Sequence, residues 1–269
     1  NLELVEHKSR VGKRCEEYIP NIKESCYFVE NGEVFGFYIS KITGKLKKLV
    51  EIANNEFLSD NVPKSKLRRS DAVNKFFILK NNREPKHYGE NTQIADSMGV
   101  IQMSTILGSV PPKAHFRRNY PVISSVHQNE DAQTFIKAMV LIAKESENLV
   151  KKHLPNVYEK QLKIISETVP KQYQFSPLFT SSISNYNISA PYHIDTGNLK
   201  DTVNCIFTKR FDSSGGCLRI PDYNITIEQA DNSLLCYPAW RNVHGVTPIR
   251  AKSSKGYRNS LIFYPLKGF

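Results

Sequence analysis

The sequence predicts an α+β protein: short strands rolled into a sandwich or small barrel, with helices packed on one face and a mixed region ahead of them. Three observations carry this expectation. From about residue 172, short β-rich pieces follow one another between Gly, Asp, Asn and Pro turns, the pattern of a sandwich or barrel. Before them lies one long segment of helical period. Earlier still, strand-like and helix-like pieces mix.

Taken in order, "SCYFVE" (25–30) and "EVFGFYIS" (33–40) read as strands around a Gly turn, and "GKLKKLVEIANNEF" (44–57) reads as a helix. The basic stretch "PKSKLRRS" (63–70) leads into "AVNKFFIL" (72–79). Turn-formers dominate 81–125, and "GSVPPKAHFRRNYP" (108–121) reads as a long exposed loop. Residues 1–125 are thus expected to form a mixed α/β region packed on a core unit of 126–269.

That unit opens with "EDAQTFIKAMVLIAKESENLVKKHLP" (130–155), where Phe135, Met139, Ile142, Ser146 and Leu149 fall on one stripe. Lys151, Lys152 and His153 suit the C-terminal end of the helix dipole, and Pro155 is expected to stop the helix. A second helix follows, with Asn156 and Glu159 as a capping box ahead of Leu162 and Ile165. The strand pieces are "PLFTSSISNY", "TVNCIFT", "GCLRI", "NITIE", "SLLCYP", "VHGVTPI" and "NSLIFYPL".

A chain of 269 residues can bury a substantial core, and 40% hydrophobic with 23% charged residues is ordinary for a globular protein. The net charge of +11 suits a polyanionic partner, nucleic acid or an anionic surface, though a generically basic protein has the same balance. Five cysteines without a CxxC pair read as free thiols in a reducing compartment, with Cys205, Cys217 and Cys236 buried. No apolar run reaches membrane-spanning length, and the start carries no signal-peptide pattern and no initiator Met. The expectation is an intracellular protein, nuclear or cytoplasmic, with no membrane partner and a monomer as the default.

The chemistry sits in "PYHIDTGN" (191–198). On a strand, His193 and Asp195 project to one face and offer an imidazole and a carboxylate to one cation. His244, in "RNVHGVTPI", comes 49 residues after Asp195 and four expected strands later, where a rolled sheet returns it to His193. Two His and one carboxylate are the facial triad of non-haem Fe(II) oxygenases, which leaves coordination positions open. In "YRNSLIFY", Arg258 and Ser260 share a strand face, and a guanidinium fork beside a hydroxyl suits a terminal carboxylate.

In that order and spacing, residues 172–267 resemble the Fe(II)/2-oxoglutarate-dependent dioxygenases. The resemblance implies a double-stranded β-helix (jelly-roll) core, Fe(II) held by His193, Asp195 and His244, and 2-oxoglutarate anchored by Arg258 and Ser260, with O2 as the other cosubstrate. Finer features resemble the TET/JBP branch, which oxidises the methyl group of 5-methylpyrimidines in nucleic acid. "HIDTGN" is similar to its HxDxxN form, and "GGCLRIPDYN" (215–224) to a segment of the thymine-oxidising members. The resemblance implies that Asn198 approaches the target base and that Tyr264 stacks on it. Where the cytosine-directed members carry a base-contacting His, this chain has Leu266.

The residues themselves allow plainer readings. Asn198 suits a turn after Gly197, and Tyr264 a core or rim aromatic. Base chemistry nonetheless needs an amide and an aromatic face in a pocket. "AW" (239–240) and "FDSS" (211–214) are further candidates for pocket contacts. In "KAHFRRNYP" (113–121), Arg117 and Arg118 with Phe116 and Tyr120 suit DNA phosphate contacts and wedges, and a solvated loop fits that stretch equally; "KSKLRR" (64–69) is a second candidate for phosphates, which a solvated face fits better. The competing functions are a prolyl-type protein hydroxylase, a silent nucleic-acid-binding module, and an oxygenase of free nucleobases or nucleosides.

Overall fold

The computed structural model describes residues 1–66, 102–113 and 117–269. The piece 72–79, residues 67–69 of the basic run 64–69 and Phe116 lie outside the described residues. In the described chain β1 (Cys26–Glu30) and β2 (Glu33–Ile39) form a hairpin. Its turn residues Asn31 and Gly32 take φ of 51° and 82°, left-handed values that Asn and Gly tolerate. Helix α1 (Gly44–Leu58) follows and buries Leu49, Val50, Ala53 and Phe57.

β3 (Ser65–Lys66), β4 (Met103–Val110) and β5 (Val122–Ile123) come next. β4 corrects the expected loop over 108–121, which begins only after Val110. The turn-formers Gly108 and Ser109 are strand residues here, because Ile106, Leu107 and their neighbours pair along the whole of a later strand. Of the helices α2 (Gln133–His153) and α3 (Pro155–Thr168), α2 packs against α1 and α3 against α2. α2 buries Phe135, Met139, Ile142 and Ser146 as the periodicity predicts, with Leu149 only partly covered. The capping box does not form: Leu154 is the N-cap of α3 and makes no side-chain bond. Pro155 opens α3 at its first position, where its missing N–H and fixed φ cost nothing.

The remaining strands are β6 (Ser181–Tyr186), β7 (Ala190–His193), β8 (Asn204–Phe211), β9 (Ser213–Gly215), β10 (Leu218–Ile220), β11 (Ile225–Ile227), β12 (Ser233–Tyr237), β13 (His244–Val246), β14 (Ile249–Ala251) and β15 (Tyr257–Tyr264). A large antiparallel sheet runs β1-β2-β12-β8-β15-β6-β4-β3, with β5 on β4. A small sheet runs β11-β10-β13-β7, and β14 pairs with β9. This is an α+β jelly-roll, with helices covering one face of the large sheet.

Alternation along the strands sorts side chains between the two layers. Phe37, Cys205, Phe207, Leu234, Cys236, Leu261 and Phe263 join the helices in one core. Tyr38, Leu235 and Tyr237 point the other way and join Leu218, Ile220 and Ile227 of the small sheet in a second. Phe263 is fully buried, and its truncation to Ala would cost about 3–5 kcal/mol. Cys205, Cys217 and Cys236 are buried free thiols. Among the described residues no helix is long and apolar enough to cross a membrane.

Candidate metal and anion site

β13 pairs antiparallel with β7 so that His244 lies directly opposite His193, with ring centroids 4.3 Å apart. The chain reaches this pairing through β8 to β12, one strand more than the sequence suggested, β9 being too short to read. Asp195 does not share a strand with His193. β7 ends at His193, and Asp195 is held in the turn beyond by its N–H, which donates to the Ala239 carbonyl at 3.1 Å. The outcome is still convergent: one donor atom from each of His193, Asp195 and His244 lies within 4.8 Å of the others.

The imidazoles are oriented by backbone. Nδ1 of His193 meets the Pro191 carbonyl at 2.7 Å, and Nδ1 of His244 meets the Asn242 carbonyl at 3.0 Å. A carbonyl only accepts, so each Nδ1 carries the proton and each Nε2 lone pair is left for a cation. Two imidazoles and a carboxylate meeting from one side suit Fe(II) with positions left open.

Burial, together with the charge of His193, holds His244 down to about 4, so it is neutral near pH 7. Burial also pulls His193 down, but the hydrogen bond and charge of Asp195 outweigh it, and its pKa is raised. For Asp195, burial raises the carboxyl; the His193 hydrogen bond and both imidazoles win, leaving it lowered.

The triad opens into a cavity of about 320 Å³ between the two sheets. Arg258, Ser260, Ile262 and Tyr264 line it from alternate positions of β15. Arg258 is 4% exposed, and its Nε has no hydrogen-bond partner among the described residues. Ser260 Oγ and Gln229 Nε2, also buried in this lining, have none either. The residue opposite Arg258 on β8 is Arg210, a second cation. Arg210 is satisfied, donating to the Gly215 carbonyl at 2.7 Å and the Gln229 carbonyl at 3.1 Å.

Burial first, and then Arg210, lower the Arg258 guanidinium to about 9, so it stays cationic at neutral pH. A buried, unpaired charge costs several kcal/mol, which an anion in the cavity would offset. Gly216 makes the room: a Cβ there would sit 2.4 Å from Arg258 Cδ.

Asn198, Tyr264 and Leu266 also line the cavity. Asn198 is 5% exposed, and a bridge pairs it with Leu266. Ala239 of "AW" lines the cavity; Trp240 instead donates to the Thr202 carbonyl at 2.8 Å, and Phe211 is exposed away from it. Arg117 is exposed at the turn after β4. Arg118 is held within that turn, donating to the Pro111 carbonyl at 2.6 Å.

Sequence reasoning passed over Asn204, Asn185, Gln229 and Tyr237, all in the lining. The signal for Asn204 was present: an amide at an inward position of the apolar strand "NCIF". Gln229 follows β11 and carries no pattern.

No family model and no curated protein matches the chain in sequence. Among solved structures, NgTET1 in complex with 5mC DNA matches with a TM-score of 0.56 at 15% identity, covering 97% of this chain and 83% of that one. The structure of OsALKBH1 matches with a TM-score of 0.42 at 11% identity, covering 90% of this chain and all (100%) of that one. The chain therefore has the fold of the NgTET1 structure over nearly its whole length.

Proposed function

We propose that this protein is an Fe(II)/2-oxoglutarate-dependent dioxygenase that oxidises the methyl group of a 5-methylpyrimidine, 5-methylcytosine or thymine, in DNA. The observation that carries the reading is the buried guanidinium of Arg258, unpaired among the described residues, in the same cavity as two imidazoles and a carboxylate. A cation site and an anion site sharing about 320 Å³ suit a metal and a dicarboxylate bound together.

In this reading Nε2 of His193, Nε2 of His244 and a carboxylate oxygen of Asp195 hold Fe(II). Arg258, with Ser260 Oγ, grips the far carboxylate of 2-oxoglutarate. The bound metal and cosubstrate supply activation of dioxygen and the oxidising power to functionalise a methyl C–H bond. The chain's own work is to aim the substrate and keep water out. Ile183, Ile206, Val246 and Ile262 give the cavity apolar walls. Asn198 supplies an amide to read a flipped base and Tyr264 a face to stack on it. DNA as the substrate is supported by the likeness to a fold solved with 5mC DNA and by the charge of +11.

The test is mass spectrometry of nucleosides and peptides after incubation with Fe(II), 2-oxoglutarate and ascorbate. The panel is methylated duplex, methylated single strand, thymine-only DNA, free nucleosides and proline-containing peptides. Hydroxymethyl bases from DNA are the expected product. Turnover confined to peptides would replace the substrate reading with a prolyl-type hydroxylase and leave the iron site standing.

A further inference from the structure

Outside the metal cavity, the N-terminal segment builds a groove of about 560 Å³ against the outer side of β7 and β10. Its backbone pairs with the free edge of β7: the Gly12 N–H donates to the Tyr192 carbonyl at 2.7 Å, and the Tyr192 N–H to the Lys13 carbonyl at 2.9 Å. Tyr192 lines this groove, whereas the next residue, His193, faces the metal cavity. The groove and the triad therefore flank one strand.

The groove's charge is one-sided. Lys8, Arg10, Lys13, Arg14 and Arg219 line it against the carboxylates of Glu6 and Glu16, with His7 bound to Asp222 at 2.8 Å. None of the four N-terminal cations is in an ion pair among the described residues, and all four are exposed.

Arg219 differs from them. It is 8% exposed, its guanidinium lies 4.3 Å from the centre of the Tyr18 ring, and its Nη2 donates to Asn224 Oδ1 at 2.6 Å and Nη1 to Thr226 Oγ1 at 3.3 Å. Its Nε has no partner, and no carboxylate pairs with it among the described residues. This is a fixed, buried cation held by neutral groups at the base of a basic groove. Such an arrangement fits an anion.

We propose that this groove binds consecutive backbone phosphates of the nucleic-acid substrate, with Arg219 as its anchor and Lys8, Arg10, Lys13 and Arg14 along the strand. The proposal rests on the nucleic-acid reading of the cavity. A single phosphate would not use cations spread over seven residues of chain, a span of up to roughly 20 Å. A phosphodiester strand would use them, since it repeats its charge along its length. Because β7 carries His193 on its other face, a strand held in the groove passes beside the metal cavity. These phosphate interactions would position DNA without reading its sequence.

The experiment measures polarization of a fluorescent methylated duplex across a KCl series. The proteins are the wild-type chain and the quadruple variant Lys8→Gln, Arg10→Gln, Lys13→Gln, Arg14→Gln. All four sites are exposed, so the fold is not at stake. The expected result is a tenfold or greater loss of affinity. The dependence of log K on log salt should also become shallower, by roughly 0.9 for each phosphate no longer neutralised. Substrate-free succinate production is expected to be unchanged.

Equal affinity and slope in the two proteins would overturn the groove alone. Absence of salt-dependent duplex binding by wild type would overturn the nucleic-acid reading with it. Binding of polyglutamate as tight as that of the duplex, abolished in the same variant, would reassign the groove to an acidic protein and overturn the proposal.

Discussion

Asn198 donates its side-chain amide to Asn204 Oδ1 at 2.9 Å, inside the cavity wall. Asn204 in turn donates to Asp195 Oδ2 at 3.4 Å. One carboxylate oxygen of Asp195 is thereby occupied, and Oδ1 is the atom that lies 3.4 Å from His193 Nε2. A residue implied to meet substrate and a residue implied to hold metal are thus joined through one buried amide.

Asn204→Val keeps a strand-compatible side chain and removes both bonds. Groups that orient metal ligands commonly contribute 10–100-fold in metal affinity, so Co(II) binding should weaken by about that range. Titration of the Co(II) absorption, with circular dichroism to confirm the fold, measures it. Unchanged Co(II) affinity would remove Asn204 from the metal site.

The cosubstrate makes a separate prediction. Arg258→Lys keeps the charge and loses the fork, so the 2-oxoglutarate KM should rise about tenfold or more, an increment of roughly 1.4 kcal/mol. Gly216→Ala should act in the same direction, since its Cβ would meet Arg258 Cδ at 2.4 Å and its φ is +65°. Metal affinity should hold in both variants. An unchanged KM in both would place the carboxylate elsewhere.

Much of this was legible in the sequence, because its signals are local. The period of α2 and the alternation of "YRNSLIFY" each follow from short-range geometry, and the order HxD, His, RxS fixed which residues to bring together. The misses have physical reasons. Asp195 left the strand because a tertiary bond to Ala239 holds its turn. The Asn156–Glu159 capping box lost to Pro155, which starts the helix earlier. β4 hid among turn-formers because its pairing partner is β6, more than seventy residues away. Arg219 and Gln229 were unreadable, because their significance lies in having an unpartnered atom.

A pH-dependent contribution to stability comes from His127. Its Nε2 accepts a hydrogen bond from the Gly108 N–H at 2.8 Å, and burial lowers its pKa from 6.5. Only the neutral ring can accept. The unfolded chain takes up this proton first as pH falls below 6.5, so the stabilisation is present above that value and lost below it. The fall in Tm between pH 7.5 and pH 5.5 should therefore be smaller in His127→Gln than in wild type. An identical fall in both would exclude this residue.

For the substrate, Asn198→Ala and Tyr264→Ala should impair oxidation of methylated DNA while sparing metal and 2-oxoglutarate binding. The loss of stacking in Tyr264→Ala is on the order of 1–3 kcal/mol. Leu266→His places an imidazole beside Asn198 across their bridge and should raise activity on 5-methylcytosine relative to thymine. Product ratios by nucleoside mass spectrometry decide it. Ratios unchanged from wild type would mean that base choice is set by other residues of the cavity.

The central claim is that His193, Asp195, His244 and Arg258 bring Fe(II) and 2-oxoglutarate together in one cavity. Anaerobic addition of both to the protein tests it most directly, through the visible metal-to-ligand charge-transfer absorption that a chelated 2-oxo acid gives on Fe(II). The account predicts a saturable band in wild type, absent in folded Asp195→Ala and His244→Ala, and requiring at least tenfold more 2-oxoglutarate in Arg258→Lys. No band in wild type, or an undiminished band in Asp195→Ala and His244→Ala, would contradict it.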